Sequence, residues 1–544
     1  MSRQHQCILL VFAIAFVIAG CSSKKEKTGN VFRMNMSGKA LESLDPAFAK
    51  DQYMMWTANM IYNTLVATDE QLHLSPSLAK SWHVSADGLH HTFILHNDIY
   101  FHDNPAFKNG KGRKMTAADV VYSFNRIIDP ATASPGAWIF NDRVDTTRPF
   151  EAIDDTTVVI HLSKPFRPLP EILSMQYCSI VPKEVVEKWG KDFRTHPCGT
   201  GPFVFKKWDE NNILILHKNP AYWEHDTAGK SLPYIDAVTI GFAASKATEF
   251  FLFLQGELDF VNELDGSFKD LVLTKRGELK KEYRAKLNLT KRTYLNTEYL
   301  GFLTDTANTL LQHSPVKNIA VRQAMNYAID RQKIVTYFRN GIGIPATSGF
   351  IPEGMPGYDS SHSYGYHYNP TKALQLLANA GYPNGKGLST LTVLTPDIYS
   401  DIVNFVAAQL QEVGIPVQVE IMQSNILRQQ MSKSEAVFFR GQWIADYPDA
   451  ETYLVFFNGN LPAPPNYTRF NHATFNKWYD EAMLATNDTT RWALYKSMDS
   501  LVMSQAPLIP LFYDQMTHFT QKRVSGFAAT PMNVIDLKKV RLKY

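Results

Sequence analysis

The chain has 544 residues, and 55 Lys and Arg against 52 Asp and Glu give it a formal net charge of +3. Apolar residues make up 45% and aromatic residues 12%, which is typical of a globular protein and excludes a mainly disordered or fibrous chain. The nearly balanced charge gives no indication of a nucleic-acid-binding surface. At roughly 100–200 residues per domain, the length predicts about three to five domains or lobes.

The N-terminus has the pattern of an export signal. An uncharged apolar run covers residues 8–19, and these 12 residues are too few to span a bilayer, which takes about 20. Their number is typical of a secretory signal peptide. The run ends in small residues before Cys21, and this pattern resembles the lipobox of bacterial lipoproteins. We therefore predict a lipoprotein signal peptide over 1–20, a lipid on Cys21 and a flexible tether over 21–30; the alternative is an ordinary signal peptide.

The first half of the chain is predicted to contain many short strands. Polar, Gly or Pro residues bound each of them. The strands are predicted at Val31–Asn35, 92–95, 157–162, 203–208 and 213–217. A helix is predicted over 116–128, because Thr116 is a favourable N-cap residue and Asp119 stands at the third helical position.

The second half is predicted to be more helical. Helices are predicted at 316–337, 370–380, 399–413, 474–485 and 491–504, and a strand at Val417–Ile421. The second of these helices opens with Pro370 and ends before Gly381, as helices commonly do. Helices that alternate with strands indicate α/β lobes.

Two cysteines lie beyond the predicted lipidation site, Cys178 and Cys198. An exported compartment permits a disulfide between them. The sequence does not give the distance between their Cα atoms, so a disulfide and two buried free thiols both stay open. The sequence contains no CxxC or Cys/His pattern of a zinc site.

Common catalytic motifs are absent from the sequence. It has neither a G-x-S-x-G elbow nor an H-E-x-x-H motif. The segment 224–231 ends like a phosphate loop, but Glu224 occupies the position at which such a loop needs glycine. The spacing of four histidines does not converge on one ion, so packed or solvated side chains are predicted for His90, His91, His96 and His102. No enzymatic activity, cofactor or metal is therefore predicted.

Several blocks of sequence occur in an order that points to one family. The blocks are Ser43-Leu-Asp-Pro46, Ile61-Tyr-Asn-Thr-Leu-Val66, Pro76-Ser-Leu-Ala-Lys-Ser-Trp82, Gly199-Thr-Gly-Pro-Phe203, Asn219-Pro-Ala-Tyr-Trp223 and Val321-Arg-Gln-Ala-Met-Asn-Tyr-Ala-Ile-Asp330. Together they resemble the dipeptide- and oligopeptide-binding lipoproteins of ABC importers, the solute-binding protein family 5. The resemblance runs from about residue 32 to residue 544.

The resemblance implies an α/β, bilobal periplasmic-binding-protein fold with an extra third domain and a ligand enclosed between the lobes. Domain I would be discontinuous and comprise 31–66, 197–297 and 509–544. Domain II, the extra domain of the family, would be 67–196, and domain III, the second lobe, would be 298–508. Several crossings between the lobes imply a hinge and closure around the ligand.

The resemblance also implies the residues of the ligand site. A W-x-A-D-Y motif contains Asp446, which matches an aspartate that pairs with the free α-amino group of the ligand in peptide-binding members. Trp443 and Tyr447 would form walls of the first side-chain pocket, and packing in the core is the alternative for each. Arg440 matches a residue that contacts peptide carboxylates in some members, and a surface ion pair is the alternative.

A second segment completes the implied site. Residues 49–53 match the family segment whose backbone pairs with an extended peptide. These residues are Ala49, Lys50, Asp51, Gln52 and Tyr53. Strand-like pairing through the backbone would give affinity without reading the peptide's side chains.

The function that the resemblance implies is that of a non-catalytic receptor. It would capture short peptides and deliver them to an ABC permease with a separate ATPase. A monomer is expected in the bacterial periplasm or at the outer face of the cell envelope, anchored by the lipid on Cys21. The alternatives are the same fold with a non-peptide solute, such as a nickel chelate, haem or an oligosaccharide, and a secreted hydrolase with an unrecognised site.

Overall fold

A computed structural model describes residues 29–37, 41–264, 266–356, 358 and 364–543. The predicted signal peptide, Cys21 and nearly all of the predicted tether lie outside these described residues. Within them, helices are too short or too polar to cross a bilayer.

Strands and helices follow one another along the described chain. The strands are β1 Val31–Asn35, β2 Val66–Thr68, β3 Leu74–Pro76, β4 Ala79–Val84, β5 His90–Leu95, β6 Phe150–Asp154, β7 Thr157–His161, β8 Phe203–Asp209, β9 Ile213–Lys218, β10 Ala237–Gly241, β11 Phe260–Asn262, β12 Leu287–Phe302, β13 Ile344–Pro345, β14 Leu391–Thr395, β15 Val417–Ile421, β16 Phe438–Ile444, β17 Leu508–Gln521, β18 Val524–Ser525, β19 Ala528–Ala529, β20 Ile535–Asp536 and β21 Arg541–Leu542. The α-helices are α1 Gln52–Ile61, α2 Ala117–Ile128, α3 Leu169–Ile172, α4 Lys183–Trp189, α5 Lys246–Leu254, α6 Gly266–Val272, α7 Ile319–Tyr327, α8 Arg331–Lys333, α9 Pro370–Asn379, α10 Ser400–Glu412, α11 Ser424–Ser432, α12 Glu451–Leu454, α13 Ala473–Leu484 and α14 Asp488–Gln505.

Three sheets of four or more strands organise the described residues. The first has the order β1-β10-β9-β8, with β1 parallel to β10 and the other pairs antiparallel. The second is antiparallel, has the order β4-β5-β7-β6 and lies within the segment predicted as domain II. The third has seven strands: β11-β17-β12-β16-β14-β15, with β13 paired to β17. Each sheet has helices around it, as the predicted α/β class requires.

The two longest strands carry the chain across the predicted boundary between domains I and III. β12 has 16 residues, β17 has 14, and they pair antiparallel along most of their length. Their register is interrupted between Thr293 and Thr297, where β12 contains more residues than β17. Extra residues of this kind bend and twist a strand locally. The predicted boundaries at 297/298 and 508/509 both fall within these strands.

The structure breaks the long helix predicted over 316–337. α7 ends at Tyr327, α8 follows from Arg331, and a π-helical turn covers Ile334–Phe338. The buried guanidinium of Arg331 donates hydrogen bonds to the carbonyl of Asn326 at 3.0 Å and that of Pro510 at 2.6 Å. An arginine that satisfies a carbonyl at the end of a helix lets the helix stop there, and apolar spacing alone does not reveal this.

Helix α2 confirms its predicted start. Thr116 is the N-cap, and Thr116 and Asp119 form a capping box. Asp119 also pairs with Arg113 at 2.6 Å. Other predicted elements are found within a few residues of their predicted ends, including β1 and β15 without any shift.

The disulfide considered for Cys178 and Cys198 does not form. Both cysteines are buried and free. The Cys178 thiol points to the carbonyl of Ile172 at 3.9 Å, and the Cys198 thiol to the carbonyl of His102 at 3.4 Å. Burial raises the pKa of both thiols above the ordinary range, so the thiolates needed for oxidation are disfavoured.

We predict that both thiols stay reduced and protected in the folded chain. In protein starting at Ser22, a thiol reagent should react with about two groups per chain after unfolding in guanidinium, and with few before it. Mass spectrometry without reductant gives an independent measurement. A mass lower by two hydrogens, with no thiol reactive after unfolding, would contradict the prediction.

Candidate functional site

A cavity lies where the three predicted domains meet. Its volume is about 1000 Å³, including the part open to solvent. Its lining comes from α1 and the turn after it, from residues 67, 68 and 77, from 174–176 and 179, from Pro202, Phe203, Tyr222 and Glu224, from Asp446 and Pro448, and from 530, 532 and 534–538. Sites for small molecules commonly have such a position between domains.

Helix α1 and a glycine pair shape one wall of this cavity. Trp56 is fully buried and donates from its indole nitrogen to the carbonyl of Asn533 at 2.5 Å, which ties α1 to the C-terminal segment. Gly199 and Gly201 lie against the backbone at Ile61, where a Cβ on either would overlap backbone atoms. This glycine motif therefore allows the close approach of two backbone segments beside the cavity.

Asp446 presents a carboxylate to the cavity without a partner. Its side chain makes no hydrogen bond or ion pair with any residue that the structure describes; only its backbone N–H is bonded, to the Thr452 hydroxyl at 3.2 Å. The side chain reaches solvent within the cavity. The surrounding protein nevertheless removes part of its hydration, and with the nearby Glu451 this raises the pKa of Asp446 to about 6. The site therefore holds an anionic group at neutral pH that lacks a counter-charge.

The loop that carries Asp446 is fixed at both ends. It leaves β16, and the N–H of Ala445 donates to the carbonyl of Leu295 in β12 at 2.8 Å. Beyond Asp446, the carboxylate of Asp449 accepts from the hydroxyl of Tyr495 at 2.9 Å and pairs with Arg491 at 2.7 Å. The position of Asp446 is thus held by the sheet on one side and by α14 on the other.

The two aromatic residues of the motif do not line this cavity. The indole of Trp443 donates to the carbonyl of Thr452 at 2.6 Å and packs edge-on against Phe456. Tyr447 is buried, donates its hydroxyl to Glu451, and lies with its ring centroid 6.3 Å from that of Trp138 in domain II. These contacts match the alternative of packing residues, and Tyr447 packs between domains.

Arg440 lies in β16 with its guanidinium already engaged. It donates to the carboxylate of Glu298 and to the side-chain oxygen of Gln442, the latter at 2.8 Å. It also stacks 3.2 Å from the ring centre of Tyr399. The pair with Glu298 is buried, in contrast to the surface pair considered from the sequence. A ligand carboxylate would have to compete with Glu298 for this arginine.

The segment 49–53 forms a turn that leads into helix α1. The N–H of Ala49 donates to the carbonyl of Pro46 and that of Lys50 to the carbonyl of Phe48. Helix α1 then begins at Gln52, with the carboxylate of Asp51 accepting from the N–H of Tyr53 at 3.1 Å. These three N–H groups have local partners, and the pairing of this segment with a peptide backbone stays a prediction.

The side chains of this segment have structural contacts. Lys50 pairs with Glu42 at 2.7 Å, Gln52 donates to the carbonyl of Asn533 at 2.7 Å, and the hydroxyl of Tyr53 donates to the backbone carbonyl of Ser37 at 3.0 Å.

Asp51 does not line the cavity, although its charge reaches a residue beside it. Tyr177 follows the lining residue Gln176, and burial, with contributions from Asp446 and Asp51, raises the pKa of Tyr177 to about 12.

A polar wall of the cavity was not found from the sequence. The Lys538 ammonium pairs with Glu224 at 2.6 Å and lies 3.7 Å from Asp536, and the Tyr222 hydroxyl donates to Glu224 at 2.7 Å. Glu224 and Lys538 stand 314 positions apart. The block that ends at Trp223 was visible in the sequence, but it contained no signal for a partner in the C-terminal segment.

We predict that Asp446→Asn stabilises the ligand-free protein above pH 6. A folded pKa of about 6 lies above the unfolded value of about 3.9, so this group favours folding when protonated, and its contribution is lost as the pH rises through 6. Thermal unfolding should show a higher midpoint for the variant at pH 8 and little change at pH 4. Asp480→Asn, at an exposed position on α13, is the matched control. An equal shift at both pH values would contradict the prediction.

Comparisons with known proteins agree on one family. Residues 73–464 match the model of the bacterial extracellular solute-binding proteins, family 5. The chain is 29% identical over 505 residues to the glutathione-binding protein GsiB of Escherichia coli O1:K1. The match covers 91% of each of the two chains.

Solved structures of other proteins resemble this chain over nearly its whole length. HbpA2 from Haemophilus parasuis matches with a TM-score of 0.80 at 25% identity, over 94% of this chain and all of the other. The periplasmic binding protein DppA from Helicobacter pylori, in complex with the peptide STSA, matches with a TM-score of 0.70 at 26% identity. This match covers 94% of the present chain and 98% of DppA. The fold is thus bilobal with an extra domain. The chain belongs to the family 5 solute-binding proteins, the extracytoplasmic, non-catalytic receptors that bind a small ligand for an ABC permease and its ATPase.

Proposed function

We propose that this receptor captures short peptides that have a free α-amino group. The observation that carries the proposal is the unpartnered carboxylate of Asp446 in a cavity between domains. A partly desolvated carboxylate gains most from a cation that donates hydrogen bonds, and an α-ammonium group supplies three such donors. The bound amine would also offset the loss of hydration that, together with the charge of Glu451, raises the pKa of Asp446.

Neutral polar groups on the cavity wall suit the rest of a peptide. The amides of Asn59, Asn63 and Gln176 keep donor or acceptor capacity for peptide groups, and the Ser174 hydroxyl, which donates to the carbonyl of Glu171 at 2.7 Å, can accept from a peptide N–H. Two similar proteins support this class: one is in complex with a tetrapeptide, and the other is named for glutathione. Both of those ligands carry a free amine. A nickel chelate, haem or an oligosaccharide would leave Asp446 without this partner.

We predict that Asp446→Ala weakens binding of a short peptide at least tenfold, equal to about 1.4 kcal/mol. The reason is the loss of the counter-charge for the bound ammonium. Calorimetry with a defined tripeptide measures the change. N-acetylation of the same peptide should reduce its affinity for the unmodified protein and have little effect on the variant.

The affinity of the unmodified protein should also fall as the pH is lowered through 6, since protonation removes the charge of Asp446. Asp480→Ala serves as the control for a carboxylate lost elsewhere. A loss below tenfold for Asp446→Ala would reject its role as the anchor of the amine. Native mass spectrometry of the purified protein tests the ligand class itself, since a haem, a sugar or a metal chelate released from it would reject the peptide.

We also propose that the receptor is a monomer held at the membrane by a lipid on Cys21. The sequence supports this through the small residues that precede Cys21 and the polar stretch after it. One tethered receptor can then move over the permease while the folded part stays outside the membrane.

Cys21→Ser is predicted to release the protein from the membrane. In a bacterial host, the unchanged chain should fractionate with membranes and carry the mass of a diacylglycerol, and the variant should lack both properties. If the unchanged chain has no lipid and begins at Gly20 or Cys21, ordinary signal cleavage is the correct alternative.

A further inference from the structure

We propose that the cavity selects peptides that carry a positively charged side chain in addition to the α-ammonium group. This inference rests on the proposed function, because it names the class of peptide that the same site prefers. It depends on the balance of charges around the cavity and on which of them already have partners.

The described lining of the cavity has an excess of negative charge. Its charged members are Glu224, Asp446, Asp536 and Lys538. Three carboxylates against one ammonium leave a net formal charge of −2. The α-ammonium and the C-terminal carboxylate of a peptide cancel each other, so a peptide with uncharged side chains leaves this charge at −2. A cationic side chain reduces it to −1, whereas an anionic side chain increases it to −3, and complementary charge is a strong determinant of which ligand binds.

The single lining cation is already engaged. The Lys538 ammonium lies 2.6 Å from Glu224 and 3.7 Å from Asp536. Burial disfavours its charged form, but Asp536, Tyr222 and Glu224 outweigh this effect and raise the pKa of Lys538 above its usual range. Lys538 therefore stays charged and paired, and a ligand carboxylate could reach it only in competition with Glu224. Arg440, the other cation considered for a carboxylate, is engaged by Glu298.

Asp536 is the carboxylate best placed to receive the second cation. One of its oxygens accepts from the backbone N–H of Lys538 at 2.8 Å. The other oxygen has only the 3.7 Å ion-pair contact with the Lys538 ammonium, which is too long for a hydrogen bond. Asp536 therefore keeps acceptor capacity toward the cavity. Glu224 contributes negative potential, while each of its oxygens already accepts one hydrogen bond, from Tyr222 and from Lys538.

The charge balance separates this protein from a relative that it resembles. Glutathione has two carboxylates and one ammonium, so it is anionic at neutral pH. The cavity offers it one uncompensated carboxylate for the amine, but the described lining holds no cation free for its two carboxylates. The structure therefore favours a cationic peptide over glutathione, although the chain is 29% identical to a glutathione-binding protein.

Matched tripeptides test the inference. Alanine tripeptides with Lys, Met or Glu at the first, second or third position differ in charge while keeping unbranched side chains. Calorimetry at low salt should show, for at least one position, that the Lys peptide binds about tenfold more tightly than the Met peptide and more tightly still than the Glu peptide. Glutathione should bind more weakly than that Lys peptide. The preference should shrink as salt is added, because ions screen a site that is open to water.

Asp536→Asn identifies the group responsible. The amide keeps the oxygen that accepts from the N–H of Lys538, so the local fold should persist, and thermal unfolding checks this. The preference for Lys over Met should fall below about threefold, with the affinity for the Met peptide changed less than about twofold. Asp480→Asn, on the exposed face of α13, should leave both affinities unchanged.

The outcomes separate the two proposals. If Lys, Met and Glu peptides bind equally at every position, or if glutathione binds most tightly, peptide binding stands and the cationic preference is overturned. If Asp536→Asn weakens Lys and Met peptides alike, Asp536 does not act on the side chain and the inference fails. If no tripeptide binds at all, the inference is overturned together with the proposed function.

Discussion

The pairing of β12 with β17 is the constraint on which the rest of the structure depends. These two strands run through the boundary between the lobes and share one sheet with β16. Their register breaks between Thr293 and Thr297, next to the point where Leu295 accepts a hydrogen bond from Ala445. Asp446 is the next residue. A change of angle at this break would move the proposed anchor together with the second lobe, so the same strands join the lobes and position Asp446.

Some charges at the site are not balanced by other groups of the ligand-free protein. Asp446 has no partner, its pKa is raised to about 6, and Asp536 uses only part of its acceptor capacity. The unpartnered Asp446 reduces the stability of the ligand-free chain and leaves it to the ligand to provide the counter-charge. Elsewhere, comparable charges are satisfied within the fold, as in the pairs of Arg440 with Glu298 and of Arg491 with Asp449. This contrast supports the proposal that the cavity is the ligand site.

Local patterns predicted local structure well. The Thr116 capping box and the Pro370 start are visible in neighbouring residues, and both helices form as expected. The predicted helix over 316–337 failed because Arg331 binds carbonyls, including that of Pro510, far along the chain. The helix start at Gln52 was not predicted, although its cause is local, since Asp51 caps α1 immediately after the turn.

The sequence by itself determined the order of the blocks that define the family, and it predicts an export signal and Asp446 as the candidate anchor, because each is a property of adjacent residues. Only the tertiary structure decided that Cys178 and Cys198 remain free and that Arg440 is engaged by Glu298. It also decided that Glu224 and Asp536 face the same cavity around Lys538. The physical reason is that a charge is defined by its neighbours in space, and the partners here lie up to 314 residues apart.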